Sequence, residues 1–206
     1  MTRSPSASRP RLVVATLNRG KGRELVELLG DVPWEVTLLA DLPNAAAPDE
    51  TGATYRENAL IKARAAARAT GWTALGDDSG LEVDALGGAP GLHTARFGGP
   101  GLDDTRRYTL LLDRLRAVSA ERRTARFRCA IALVDPDGHE RVVEGSVEGR
   151  IAEAPRGRGG FGYDPIFFYP PLGRTFAELE PAEKHRVDHR GAAVRAARAL
   201  LSASRS

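Results

Sequence analysis

Along this chain, short apolar runs alternate with stripes of helical spacing, and a single strand–turn–strand pattern lies past the midpoint. Leu12-Val-Val-Ala-Thr16 is a short apolar run and predicts a buried first strand. A polar, glycine-bearing loop over Asn18–Gly22 follows. Leu25, Leu28 and Leu29 then recur at helical spacing across Glu24–Leu29 until Gly30 ends them. Trp34–Leu39 predicts a second strand, and residues 40–53 a loop rich in Pro, Asp and Ala. Thr54–Thr70 predicts an alanine-rich helix, with Thr54 and Glu57 as a capping box and Gly71 as its stop. Thr73–Gly76 predicts a short strand that runs into Asp77-Asp78-Ser79-Gly80. A glycine-rich loop over 87–101 and a helix over Asp103–Val118 come next. Phe127, Cys129, Ile131 and Leu133 alternate with Arg126, Arg128, Ala130 and Ala132. Asp135-Pro-Asp-Gly138 then reads as a turn and Glu140–Glu148 as the returning strand. Gly157–Pro165 is a second glycine-rich loop, and Asp188–Leu201 a C-terminal helix. Strands interleaved with helices, plus one hairpin, predict an α/β fold with a mixed sheet.

Composition narrows the class without naming a function. The chain has 206 residues, 42% hydrophobic and 28% charged, which suits one globular domain with its own core. Residues 1–10, rich in Ser, Pro and Arg, read as a disordered tail, and 11–206 as a single domain. No apolar run reaches 18 residues and the N-terminus has no apolar signal region, so neither a membrane nor secretion is expected. One cysteine, Cys129, excludes an internal disulfide and fits the reducing cytoplasm. The net charge is only +3, with no basic stripe to mark a nucleic-acid surface. Of the 30 basic residues, however, only Lys21, Lys62 and Lys184 are lysines. In a chain that otherwise uses arginine, a retained lysine marks a candidate position for a compact point charge.

Several signatures fail on inspection. Gly157-Arg-Gly159-Gly-Phe-Gly162 fits a dinucleotide fingerprint in spacing, but no strand leads into it and Pro165 blocks a following helix. Gly20-Lys21 lacks the Ser or Thr and the first glycine of a P-loop, and His185 and His189 lack the glutamate of a zincin helix. Three features survive. Thr16-Leu17-Asn18-Arg19-Gly20-Lys21, between a strand and a helix, supplies N–H groups, a hydroxyl, an amide and an ammonium, the makings of an anion cradle or of a plain turn. Glu50 with Asp77 and Asp78 offers hard oxygen ligands for Mg²⁺ and a carboxylate able to take a proton from water. Phe161-Gly162-Tyr163-Asp164 with Lys184, His189 and Arg190 offers a ring to lie against a base and polar groups to read its edge. All three lysines fall in or beside these features, Lys62 sharing a helix face with Asn58.

Together these residues resemble the inosine/xanthosine triphosphate pyrophosphatases, enzymes that hydrolyse non-standard purine nucleoside triphosphates. The likeness runs from Leu12 to about Leu200. It rests on Thr16–Lys21, on Glu50–Asn58 with Lys62, on Gly76–Leu86, on Gly88–Gly91 with Ala95–Phe97, on Gly159–Pro165, on Glu183-Lys184 and on His189–Gly191. The resemblance implies an elongated, two-lobed α/β fold with a mixed sheet and the active site in the cleft between lobes. It implies a homodimer, Mg²⁺ as cofactor and a cytoplasmic enzyme with neither nucleic acid nor membrane as partner. It places the triphosphate along Thr16–Lys21, the metal on Glu50 and Asp78, and proton acceptance on Asp78, with Lys21 and Lys62 beside it as catalytic cations. Ser79 is expected to touch the substrate, and Phe161, Gly162, Tyr163, Asp164, Lys184, His189 and Arg190 to hold the base. One position departs from the family: Asp188 stands where serine usually precedes His-Arg. Either its carboxylate faces the base and alters which purine is preferred, or it is the N-cap of the C-terminal helix, the reading its place before a helical run favours. The rival reading is an arginine-rich nucleic-acid-binding module without turnover, in which Glu50, Asp77 and Asp78 would repel the phosphate backbone.

Overall fold

A computed structural model of the chain describes residues 9–203. The disordered tail expected over 1–10 lies mostly outside them. Pro10 lies within: its carbonyl accepts the Glu35 N–H at 2.9 Å, so pairing begins one residue ahead of the first strand. The elements, in chain order, are β1 (Arg11–Val14), α1 (Arg19–Leu29), β2 (Glu35–Leu38), α2 (Tyr55–Thr70), β3 (Thr73–Val83), α3 (Asp104–Arg114), β4 (Thr124–Val134), β5 (Glu140–Ile151), β6 (Phe167–Tyr169), β7 (Arg174–Thr175), α4 (Pro181–Val187) and α5 (His189–Ala203). The strands form one seven-stranded sheet in the order β2-β1-β3-β4-β5-β6-β7. β1 runs parallel to β2 and β3, and the remaining pairs are antiparallel. The mixed α/β architecture is the one expected. Among the described residues no helix is long and apolar enough to cross a membrane.

The long strands β3, β4 and β5 form the middle of the sheet, and residue alternation decides what covers each face. Leu75, Asp77, Ser79 and Leu81 point to one face with their β4 partners Leu133, Ile131, Cys129 and Phe127. On that face α1 and α5 pack Leu25, Leu29, Ala193, Val194, Ala197 and Leu201 over Leu75, Ile131 and Leu133. Farther along, Leu81 and Phe127 join Leu111, Phe167 and Phe176 in a second cluster. Gly76 and Asp78 point to the opposite face, where α2 lays Ala59, Ala63, Ala66 and Ala67 on Ala130, Ala132 and Val134. The alanines let α2 approach closely. A Cβ at Gly76 would meet the Ala59 carbonyl oxygen at 2.1 Å, and one at Gly145 would meet the His189 carbonyl oxygen at 2.2 Å. Two glycines thus fix how near α2 and α5 come to the sheet.

The structure differs from the sequence-based expectation in several places. α1 begins at Arg19 rather than Glu24. Asn18 is its N-cap, its side chain accepting the Lys21 N–H, so the expected loop is the first helical turn. Asp77–Gly80 is not a turn after a short strand but the middle of the eleven-residue β3, stabilised by ten register pairs with β4. α3 stops at Arg114, four residues early. Thr54 caps α2 by accepting the Glu57 N–H, while the Glu57 carboxylate takes the Ala53 N–H, so the reciprocal half of the box is displaced by one residue. The short β6, β7 and α4, too brief for a periodic signal, were not anticipated.

Candidate active site

The site forms where β1 leaves the sheet. β1 pairs with β3 from Thr73 as far as Leu75, and from Gly76 to Gly80 β3 is laddered to β4 alone. Along this opened edge runs a cleft of about 920 Å³, walled by the start of α1, the middle of β3, residues 159–164 and the α4–α5 junction. Every sequence-predicted site residue lines it except Arg19, whose guanidinium turns away to Asp41 at 2.7 Å and to the Ala40 carbonyl.

One end is a cluster of lysines and carboxylates. Because Asp77 and Asp78 are adjacent on a strand, they leave it on opposite faces. Asp78 faces α2, where Lys62 Nζ donates to its Oδ1 at 2.9 Å and Asn58 Nδ2 to its Oδ2 at 3.2 Å. Lys62 also donates to Glu50 Oε1 at 2.9 Å, so one ammonium gathers the two carboxylates expected to bind metal. Asp77 faces α1, where it pairs with Lys21; Arg190 Nε lies 3.7 Å from it and Cys129 Sγ donates to it at 3.0 Å. Burial alone would raise the Asp77 carboxyl, but Lys21 and Arg190 outweigh it and hold the group well below the usual range. For Asp78 burial wins over Lys62, and its carboxyl rises above the ordinary value. The two aspartates therefore differ in kind: Asp77 is held as an anion, and Asp78 takes up a proton more readily. Thr16 Oγ1 accepts the Asn18 N–H at 3.1 Å, and Asn18 Oδ1 the Lys21 N–H at 3.0 Å, which shapes the turn into α1.

The other end is aromatic and deeply paired. Phe161 is 43% exposed, with Lys184 Nζ 4.9 Å and the Arg190 guanidinium 5.7 Å from its ring centre. Lys184 donates to Asp164 Oδ2 at 2.7 Å, and the same oxygen accepts the Phe161 N–H at 2.9 Å. Arg190 donates to Glu24 at 2.5 Å and to Ser79 Oγ at 3.0 Å, tying α5 to α1 and β3. His189 stacks on Phe127 at 4.7 Å, and burial followed by the Arg190 charge pushes its imidazole down to about 3, so it is neutral. Gly162 N–H is anchored on Asp104 at 2.8 Å, and the buried Tyr163 donates its hydroxyl to the Thr94 carbonyl at 3.0 Å. Asp188 Oδ1 accepts the Gly191 N–H at 2.6 Å, and the residue is fully buried outside the cleft lining, as the N-cap reading expected.

Glu24 was missed. It reads as one polar residue beside the leucines of α1, yet it is the buried carboxylate on which Arg190 and Lys184 converge. Its spacing of three from Lys21 on one helix was the available signal. Asn58 and Arg96 were also not singled out as site groups; Arg96 reaches Glu50 at 3.3 Å.

The mixed sheet thus carries at its opened edge a cleft that is acidic and lysine-bearing at one end and aromatic at the other. The chain belongs to the Ham1 family, whose model matches residues 12–200. A relative from Thermus thermophilus named dITP/XTP pyrophosphatase is 54% identical over 186 residues, spanning 90% of this chain and 89% of the relative. One of the same name from Desulforamulus reducens is 48% identical over 192 residues, 93% of this chain and 96% of that one. The solved structure of a HAM1 protein from Coxiella burnetii matches with a TM-score of 0.85 at 41% identity, covering 94% of this chain and 98% of the other.

Proposed function

We propose that the protein hydrolyses non-standard purine nucleoside triphosphates, those of inosine, deoxyinosine and xanthosine, to the monophosphate and pyrophosphate. The observation that carries this reading is one cleft with a lysine–carboxylate cluster at one end and an aromatic, cation-bearing pocket at the other. The names of the relatives point to the same reaction and substrates. The triphosphate lies along Thr16–Lys21, where Lys21 offsets its negative charge. Water attacks the α-phosphorus and Asp78 accepts its proton. Lys62 and Asn58 hold the two oxygens of that carboxylate in place. Release of pyrophosphate follows from holding the two outer phosphates as a unit.

The acidic groups fit a divalent metal, which we take to be Mg²⁺: Glu50 and Asp78 are hard oxygen donors already drawn together on the Lys62 ammonium. When bound, Mg²⁺ supplies charge neutralisation of the phosphate chain and of the leaving pyrophosphate. At the far end the base lies against Phe161. A 6-oxo purine presents an acceptor where adenine presents a donor, and Lys184 and Arg190 favour the acceptor by leaving adenine unpaired. We further propose a homodimer acting in the cytoplasm, with the nucleotide rather than nucleic acid as partner. A nucleic-acid module has no use for Glu50, Asp77 and Asp78 along its phosphate path.

The test is turnover of inosine and adenosine triphosphates with and without Mg²⁺. The expected result is Mg²⁺-dependent release of pyrophosphate, with inosine favoured at least about tenfold in kcat/KM, a difference of ~1.4 kcal/mol. Equal rates on both nucleotides, or salt-sensitive binding of DNA or RNA with no turnover, would overturn it.

A further inference from the structure

The nucleobase end holds one ionisable group more than the proposed reaction uses. Three buried carboxylates, Glu24, Asp164 and Asp188, face two permanent cations, Lys184 and Arg190, while Asp77 has Lys21 as its own partner. One negative charge is left over in a region shielded from water, which is costly. His185, on α4 beside Lys184, sits where that charge is. Its Nδ1 lies 3.6 Å from Glu24 Oε1 and 3.8 Å from Asp188 Oδ2, and the three ligand atoms lie within 4.8 Å of one another. Among the described residues, neither Asp188 Oδ2 nor His185 Nδ1 has a hydrogen-bond partner at closer range. Glu24 divides its oxygens: Oε2 takes Arg190, and Oε1 lies 3.6 Å from both Lys184 and His185.

We propose that His185 is a positioning residue for nucleobase recognition: its imidazolium ties Glu24 to Asp188, and through Glu24 it keeps Arg190 and Lys184 aimed over Phe161. This rests on the reading of the cleft as a purine triphosphate site. The device belongs to this chain's own Asp188, since a serine there carries no charge to hold the imidazolium.

The charges facing the ring agree. Asp188 foremost, with Glu24 and Glu27 from α1, raises His185 above its ordinary 6.5 against the opposing effect of burial. Of the cations, Arg190 is held on the other Glu24 oxygen and Lys184 shares Oε1 with His185; His189 is neutral, and Arg195 donates to the His185 carbonyl rather than to its ring. The proton is therefore present at low pH and is lost as pH rises through the elevated value. Its loss frees Glu24 to shift, and nucleotide binding weakens while the chemistry at the opposite end is unchanged.

The test measures kcat and KM for inosine triphosphate with Mg²⁺ across pH in the wild type, His185→Gln and Asp188→Ser. Comparing variant with wild type cancels the titration of the nucleotide itself. The KM of His185→Gln is expected to exceed that of the wild type about fivefold near pH ~6 and to converge with it near pH ~8.5, with kcat unchanged. Asp188→Ser is expected to shift the wild-type KM transition to lower pH. NMR titration of the His185 ring in both proteins reads the same displacement without turnover. A KM ratio that is flat across pH, or a His185 midpoint unmoved by Asp188→Ser, overturns the proposal while leaving the pyrophosphatase intact. A wild type that turns over no nucleoside triphosphate removes the pyrophosphatase reading, and this one with it.

Discussion

The two ends of the cleft are built from the same residue types and used in opposite ways. At the phosphate end the charged groups other than Asp77 stay within reach of water: the Glu50 side chain is 29% exposed and that of Lys21 17%. At the nucleobase end the Arg190 side chain is 3% exposed and that of Asp188 not at all. An accessible ion pair can exchange its partner for a phosphate or a metal ion without stranding a charge. A buried one cannot, so its donors stay where folding put them. The phosphate end is thus arranged for chemistry, and the nucleobase end for selection by preset geometry.

Substitutions can break this contrast from either side. The largest effect is expected for Asp78→Asn, which removes the proposed proton acceptor and a carboxylate of the proposed metal site. Its kcat should fall at least about a hundredfold, the low end for a lost general base, with the fold retained. Near-normal turnover at saturating Mg²⁺ would take the role away from Asp78. Next, Arg190→Met strands Glu24 inside the protein and should lower unfolding free energy by about 3 kcal/mol in urea. Glu50→Gln, at the exposed end, should cost under ~1 kcal/mol of stability while weakening activity. Equal stability losses for the two would erase the distinction drawn here.

Acid should probe the buried end as well. His189 is neutral in the fold, pushed down to about 3 from an ordinary 6.5. The unfolded chain therefore binds a proton that the folded one refuses between those values. The associated stability is complete above pH 6.5 and is lost progressively as pH falls toward 3. The melting temperature should drop over that window, and His189→Gln should flatten the drop. Asp77 adds a separate loss only below its ordinary 3.8, because its folded value is depressed. An unchanged pH profile in His189→Gln would show that the imidazole is not buried neutral. The smallest effect concerns Asp188→Ser: it keeps the N-cap, so the preference for inosine over adenosine triphosphate should stay within a few-fold, whereas Asp188→Ala should lower stability by ~1 kcal/mol.

The phosphate end was the more legible of the two in the sequence. Its parts lie in short local runs, Thr16–Lys21 and Asp77–Asp78, and local spacing says what adjacent strand or helix positions can reach. Even so, Asp77–Gly80 was placed at a strand's end, because a polar Asp-Asp-Ser-Gly run matches turn chemistry. The ladder with β4, which overrides that preference, is a tertiary fact. The nucleobase end assembles α1, residues 159–164, α4 and α5 from opposite ends of the chain. Its aromatic and cationic members could be read from composition, but what Glu24 and His185 pair with could not. Their role depends on Arg190 lying 166 residues from Glu24 in sequence, a pairing no periodicity encodes. α4 was hidden for a simpler reason: seven residues are too few to display a helical stripe.

The central claim is that the carboxylate end presents water to the α-phosphorus while the outer phosphates are held as one group. Hydrolysis of inosine triphosphate in ¹⁸O-labelled water tests it most directly. The account predicts equal yields of inosine monophosphate and pyrophosphate, with the single ¹⁸O on the monophosphate. Inosine diphosphate as product, or the label in pyrophosphate or orthophosphate, would contradict it.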